Sequence, residues 1–302
     1  MSAPVGEPAA PSRWTSVAHW GSALRLRQWP KGAVVLVGLL PTGQFLHPGP
    51  VLIACAAAVL FHMAAASGYL VNDILDVRRD QLHPRKRQRA IASGAISRSS
   101  AGVAAALLGG SGIVLAHIIS PALAVLLGAY LAIALGYSLV FKHVVALDIL
   151  VIALVFVMRA VAGVIAIEAD ISTLFLASVG FLALLLALGK RLSEAELLST
   201  TNQVHRVVLR SYQAVAWRRV LVAIALATIA CYALAATRSP TAATHPLLAI
   251  TVAPVALGIW RYVWLVTRRG DGGEPERLLG RDRWMLCAAV GWVGMMAIAI
   301  TR

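Results

Sequence analysis

The apolar residues of this chain come in blocks rather than in alternation with polar ones. Nine stretches, at roughly 32–47, 50–71, 99–118, 121–140, 145–166, 171–189, 219–236, 246–266 and 284–301, are nearly free of charge. About 20 apolar residues in a helix match the ~30 Å hydrocarbon core of a bilayer, where the backbone must satisfy its own hydrogen bonds. The pattern predicts an all-α polytopic membrane protein, with nine transmembrane helices around a central cavity and polar cap loops at one end. Pro41 and Gly43 interrupt the first stretch. A chain of 302 residues that is 59% hydrophobic is too apolar for a soluble domain. Cys55, Cys231 and Cys287 all fall inside apolar stretches, where a thiol packs as a small hydrophobe, so no disulfide framework is expected. Residues 1–20, rich in Pro, Ala and Ser, read as a disordered tail, and 21–302 as a single transmembrane catalytic domain.

Charge sets the expected orientation. With the N-terminus in the cytoplasm, all the Lys and Arg except Arg159, Arg238 and Arg302 fall on the cytoplasmic side or at its span ends. The acids share the bias, with only Glu168 and Asp170 outside. The positive-inside rule then predicts N-in and C-out, an odd number of spans, and a multi-pass protein of the plasma (inner) membrane whose polar site faces the cytoplasm. The formal charge of +14 belongs to that one face. Its basic residues share loops with acids and Gly-Pro turns rather than lining a reading helix, so nucleic acid is not an expected partner. Anionic headgroups and phosphorylated substrates are. The two longest cytoplasmic loops, 72–98 and 190–218, follow the second and sixth spans, a spacing that hints at a pseudo-repeat.

The first of these loops opens with Asn72-Asp73-Ile74-Leu75-Asp76-Val77-Arg78-Arg79-Asp80. If the helix continues, Asn72, Asp76 and Asp80 stack on one face with Asp73 beside them. Like charges at that spacing repel unless a cation lies among them. Hard oxygen donors without His or Cys favour Mg²⁺, completed by substrate phosphates. The bland reading is a solvated helix end. The run His83-Pro84-Arg85-Lys86-Arg87-Gln88-Arg89 reads either as a positive-inside anchor or as a clamp on diphosphate through Lys86 and Arg87. Tyr137 and Lys142 close the fourth span, where Lys142 either snorkels to the interface or reaches a phosphate. Arg159, deep in the fifth span, is a functional-site candidate by its depth, with a structural ion pair as the alternative. Lys190, Arg191 and Glu194 close the sixth span, where Lys190 and Glu194 are spaced for an ordinary intrahelical pair. The glycine-rich loop 270–276 reads first as a connector. Trp29, Trp217, Trp260, Trp264 and Trp284 read as an interfacial belt.

With these residues assembled, the chain resembles the UbiA-type superfamily of intramembrane prenyltransferases. The resemblance covers nearly the whole length: nine spans, the NDxxDxxxD signature at 72–80, and polar loops after spans two and six. Within it, the chain is most similar to the branch that transfers phosphoribosyl to decaprenyl phosphate for actinobacterial cell-wall arabinan precursors. The likeness rests on Arg27-Gln28-Trp29-x-Lys31, Tyr69-Leu70-Val71-Asn72-Asp73, His83-Pro84-x-Lys86-Arg87, Lys142-His143, Arg159-Ala160-x-Ala162-Gly163, Gly189-Lys190-Arg191-x-x-Glu194, Ser211-Tyr212 and Gly273-Glu274-Pro275-Glu276 with Asp282-Arg283. Gly32 departs from the Asn usual after Lys31.

The resemblance implies Mg²⁺ as cofactor, held by Asn72, Asp73, Asp76 and Asp80. Those acids would be catalytic, with Arg27, Lys31, Lys86, Arg87, Tyr137, Lys142, Arg159, Lys190, Arg191, Glu194 and Tyr212 on the substrates. Those substrates would be phosphoribosyl pyrophosphate and a polyprenyl phosphate, and a homo-oligomer is a candidate assembly. Prenyltransferases of the superfamily usually carry a second Asp-rich motif after span six; here Lys190, Arg191 and Glu194 stand in its place. Replacing carboxylates with cations exchanges a metal site for a phosphate site. Two alternatives stay open. A prenyltransferase would move a polyprenyl group from its diphosphate to an aromatic or other small acceptor. A cation-coupled transporter would distribute acids through several span centres, whereas here they collect at one end.

Overall fold

The computed structural model describes residues 13–84, 86–144, 146–201, 215–273 and 275–302, and every element among them is helical. The first helix, α1 (Arg13–Ala23), occupies part of the stretch expected to be a disordered tail. Its end packs: Trp20 and Ala23 join Leu70, Val77 and Ile91 in a small apolar cluster, which gives this segment the burial that its Pro- and Ala-rich beginning does not suggest.

Eight helices among the described residues are long and apolar enough to cross a membrane. They are α2 (Pro48–Leu75), α4 (Arg98–Ile119), α5 (Pro121–Leu139), α6 (Leu147–Ala166), α7 (Thr173–Thr201), α8 (Val215–Arg238), α9 (Val252–Arg269, continuing a tight turn from Pro246) and α11 (Arg283–Thr301). All eight coincide with expected spans. The first expected span differs. Instead of an α-helix over 32–47, residues Leu26–Leu39 wind as a tighter 3₁₀ helix, followed by a turn at Gly43 with φ 70°. Pro30, Gly32 and Gly38 lower its α propensity, and Pro41 stops it.

Helix ends follow local chemistry. Pro48 and Pro121 stand at first-turn positions, where a missing N–H costs nothing. The Ser97 hydroxyl caps α4 by accepting from the Ser100 N–H. Gly270 ends α9 in the left-handed conformation.

Two apolar cores flank α6. On one side Phe61 and Ala64 of α2 pack with Leu123 and Leu127 of α5 and Met158 and Ala162 of α6. On the other, Ile149 of α6 packs with Leu185 and Leu188 of α7, Leu221 of α8 and Tyr262 and Leu265 of α9. The tight helix lies against α2 and α6. It touches α6 so closely that a Cβ on Gly163 would sit 1.7 Å from the Val35 carbonyl oxygen, so no other residue fits there. Leu52, Leu107 and Leu226 are each at least 63% exposed on outward faces, and Cys55 and Cys287 are exposed too. A belt of that kind is stable against lipid and costly against water.

Ion pairs join Asp76 at the end of α2 to Lys142 after α5, Arg191 of α7 to Asp148 at the start of α6, Glu196 of α7 to Arg218 at the start of α8, and Arg261 of α9 to Asp282 before α11. One end of the bundle therefore gathers nearly all the polar chemistry.

Candidate active site

α2 stops at Leu75. Asp76 leaves the helix with φ −90° and ψ 4°, and the short helix α3 (Val77–Gln81) resumes the turn. Backbone hydrogen bonds still run four residues back across the joint, from the Asp76 N–H to Asn72 and from the Asp80 N–H to Asp76. Asp73 and Asp80 are both buried. A single nitrogen, Nη1 of Arg89, donates to both, at 3.0 Å to Asp73 Oδ1 and 2.7 Å to Asp80 Oδ2. Arg25 adds a second bond to Asp73 Oδ1 at 2.9 Å and lies over the Tyr69 ring at 4.2 Å. Arg25 holds the left-handed conformation, φ 53°, where the chain turns from α1 into the tight helix. Asp76 instead accepts from Lys142 Nζ at 2.9 Å through both its oxygens.

The expected stack of Asn72, Asp76 and Asp80 is divided by partner: Asp73 and Asp80, two helical turns apart, share Arg89, while Asp76 turns to Lys142. Asn72 Nδ2 lies 3.5 Å from Asp73 Oδ1. Among the described residues, no three of His, Cys, Asp and Glu gather within reach of one metal ion. The donor set still suits Mg²⁺: two buried carboxylates converge on one positive nitrogen, and hard oxygens are the ligands that ion prefers.

The basic run after α3 folds as a short tight turn, Lys86–Gln88, whose start is tied by the Lys86 N–H donating to His83 Nδ1. Arg87 is exposed. It is Arg89 that turns inward, a residue the sequence pattern did not single out. Arg25 is another such residue. Arg27 is exposed, and Lys31 donates to Gln28 Oε1 at 3.4 Å.

A second polar network closes α7. Arg191 directs Nε to Asp148 Oδ2 at 2.7 Å, Nη1 to Glu194 Oε2, and Nη2 to the Tyr137 hydroxyl at 3.1 Å. Asp148, in the first turn of α6, was not a sequence candidate; an acid opening an apolar span was its only signal. Lys190 stands half-buried beside the network. The stretch from Tyr137 to Asp148 touches both networks, through Tyr137 and Asp148 to Arg191 and through Lys142 to Asp76. The loop after α9 packs here as a connector, its Gly272 N–H donating to Ser193 Oγ at 2.7 Å. Tyr212 lies outside the described residues.

Arg159 is buried deep in α6. It donates to the Val155 carbonyl at 3.2 Å, and the faces of Phe61, Phe156 and Tyr130 surround its guanidinium at 5.1–5.7 Å. No carboxylate among the described residues pairs with it, so the ion-pair reading does not hold there. It lines a recess with Gln28, Lys31, Gly32, Phe61, His62, Ala65 and Tyr69.

The model of the UbiA prenyltransferase family matches residues 32–286. The chain belongs to that family. It is accordingly a transferase. Among curated relatives, the decaprenyl-phosphate phosphoribosyltransferase of Mycolicibacterium smegmatis is 33% identical over 290 residues, covering 92% of this chain and 91% of the relative. The enzyme of the same description from Corynebacterium glutamicum is 34% identical over 284 residues, covering 92% and 85%. Among solved structures, a UbiA homologue from Archaeoglobus fulgidus bound to GPP and Mg²⁺ matches with a TM-score of 0.69 at 17% identity, covering 94% of this chain and all of that one. This last likeness is one of fold.

Proposed function

We propose that the chain transfers the 5-phosphoribosyl group of phosphoribosyl pyrophosphate to a polyprenyl phosphate and releases pyrophosphate. The observation that carries this reading is the end of α7. The place of the usual second acidic motif holds Lys190 and Arg191, and the nearby acids Glu194 and Glu196 are paired to Arg191 and Arg218. That end is poor in ligands for a second metal, and because Arg191 is held by the protein's own groups, Lys190 is the cation it offers a phosphate. The full-length likeness to two phosphoribosyltransferases supports the same choice.

Asp73 and Asp80, with Asn72 beside them, are the residues that would hold Mg²⁺. Bound there, the ion would offset the charge of the departing diphosphate. The protein's own cations orient the substrates: Arg25, Arg89 and Lys142 ring the carboxylates, and Lys190 lies on α7 beside Arg191. In the reaction, an oxygen of the lipid phosphate forms a bond to C1 of ribose. The bond from C1 to the pyrophosphate oxygen breaks, and its electron pair leaves with pyrophosphate. The nucleophile is already anionic, so no strong general base is needed.

We read the polar end as the cytoplasmic face of the plasma membrane, supported by the one-sided Lys and Arg. We read the tight helix as the ninth crossing: 14 residues at ~2.0 Å each reach about 28 Å, close to a bilayer's apolar thickness. A reporter fused after Arg302 should then be extracytoplasmic, and one in 202–210 cytoplasmic.

The deciding experiment incubates purified protein with Mg²⁺ and radiolabelled phosphoribosyl pyrophosphate, with and without polyprenyl phosphate. Label should enter the lipid phase only with the acceptor. Label absent there, together with turnover of a prenyl diphosphate and a small acceptor, would establish prenyl transfer instead.

A further inference from the structure

Arg159 lies past the middle of α6 and is only 5% exposed. A charge at that depth is costly unless it is compensated. Three aromatic faces and one carbonyl do part of this, without any paired carboxylate among the described residues. His62 Nε2 is sealed from solvent and has no hydrogen-bond partner. An orphaned buried polar atom needs an explanation of its own. Both side chains line the same recess, together with Gln28, Lys31 and Tyr69. The polar groups there are a guanidinium, an ammonium, an amide, an imidazole and a phenol, all able to donate, and none is acidic at neutral pH. Such a set of donors suits an anion.

The recess is not the carboxylate site, but it adjoins it. Tyr69 lies one helical turn before Asp73 on α2 and stacks under the guanidinium of Arg25, which itself holds Asp73. His62 lies seven residues further from the helix end, about 10 Å deeper at 1.5 Å per residue. Between them the wall is apolar, Phe61 and Ala65.

The geometry points to this recess as the seat of the lipid acceptor's phosphate, a phosphate monoester carried on an apolar chain. This rests on the phosphoribosyl-transfer reading for the phosphate's role as nucleophile. A soluble donor enters from the polar end, and its diphosphate meets the carboxylates first. A phosphate on a lipid arrives through the bilayer and needs a cation and hydrogen-bond donors at membrane depth, where Arg159 and His62 are. Seated there, its oxygen approaches the sugar from the membrane side while pyrophosphate departs toward the polar end. Displacement at C1 requires that opposition.

The test compares wild type with His62→Phe, which keeps the ring and removes both nitrogens, and with Arg159→Met. Each protein is purified in neutral detergent and melted with polyprenyl phosphate, with phosphoribosyl pyrophosphate plus Mg²⁺, or with phosphatidylglycerol. Polyprenyl phosphate should stabilise the wild type, and both variants should lose that shift while keeping the donor's. In turnover, His62→Phe should raise the KM for polyprenyl phosphate about tenfold, the scale of one charge-assisted contact, and leave that for the donor within twofold. His62→Phe decides the matter if Arg159→Met fails to fold. Equal stabilisation of wild type and His62→Phe by polyprenyl phosphate overturns the assignment, as does loss of the donor's shift instead. Stabilisation by phosphatidylglycerol equal to that by polyprenyl phosphate overturns it too, because the recess would then hold a structural lipid. If the wild type makes no labelled lipid, the parent reading fails, and the melting shifts still judge the recess on their own.

Discussion

The two ends of the polar face use the same residue types and bury them differently. Around α2, the partners of Asp73 are 22% and 31% exposed, Arg25 and Arg89 respectively. At α7, the Arg191 and Asp148 side chains are 5% and 1% exposed. In the first network, solvent and ligand can reach the cations, so the carboxylates can change partners. In the second, Nε, Nη1 and Nη2 of Arg191 each have a partner within the protein. Arg191 was expected to grip a substrate phosphate; in this arrangement it braces α6, α7 and the end of α5. The contrast separates a site that exchanges ions from one that holds helices.

The largest expected effect is at the exchanging site. If Asp73 and Asp80 hold Mg²⁺ as proposed, Asp73→Asn and Asp80→Asn should each lower kcat by about a hundredfold or more, because each removes a charge from that site while preserving shape. The purified variants should keep the wild-type melting temperature to within a few degrees. EDTA should silence the wild type reversibly, with Mg²⁺ restoring it. Undiminished turnover in EDTA would break the comparison at its root.

The bracing network should respond in stability instead. Arg191→Ala leaves Asp148 buried without its cation, a change that typically costs about 3–5 kcal/mol. Asp148→Ala should cost a similar amount. Replacing both by apolar residues should recover much of the loss. Arg25→Ala should cost less, on the order of 1 kcal/mol in stability, because Asp73 keeps its second cation, Arg89. A melting series in detergent that ranked Arg25→Ala as the more harmful would invert the assignment of the two networks.

Lys190 sharpens the comparison, because it adjoins the bracing network without belonging to its core. Lys190→Ala should raise the KM for phosphoribosyl pyrophosphate about tenfold and leave the dependence on Mg²⁺ intact. An unchanged KM would confine donor contacts to the α2 side.

Sequence reasoning reached these elements unevenly, for physical reasons. Eight spans were legible because a membrane helix must be apolar for about 20 residues, a signal no loop imitates. The pitch of the segment at 26–39 is not legible, because its Pro and Gly residues select a tight helix and hydropathy carries no pitch. The acids of 72–80 stand out in the sequence as a cluster, but their grouping does not. Helical spacing puts Asp73 with Asp80 as readily as it stacks Asn72, Asp76 and Asp80, and the cations that decide between these groupings, Arg89 and Lys142, come from distant segments. Within 83–89, spacing in an irregular loop does not say which cation turns inward, so Lys86 and Arg87 were chosen and Arg89 was passed over. His62 carried no signal at all: a lone histidine in an apolar span becomes notable only when its nitrogen is seen to lack a partner.

The smallest effect concerns a third polar pair, away from both networks. Asp282 caps α11 by accepting from the N–H groups of Trp284 and Met285, and Arg261 of α9 donates to both its oxygens at 2.7–3.2 Å. The hydrogen bonds from Arg261 come first, and the backbone N–H groups add to them, in holding the Asp282 carboxyl below its ordinary value of 3.8. The sign follows from linkage: in the unfolded chain Asp282 binds its proton at higher pH than in the folded one. The stabilisation is therefore fully present above the ordinary carboxylate range and is lost as pH falls through the lower folded value. Asp282→Ala should cost about 1 kcal/mol at neutral pH, the usual worth of an N-cap. It should also flatten the decline of melting temperature with acid below about pH 4. Turnover at neutral pH should change little, because Asp282 contacts neither the carboxylates of α2 nor Arg191. An acid decline as steep in Asp282→Ala as in the wild type would assign that decline to other carboxylates. Asp73 and Asp80, the two that share Arg89, would be the first to examine.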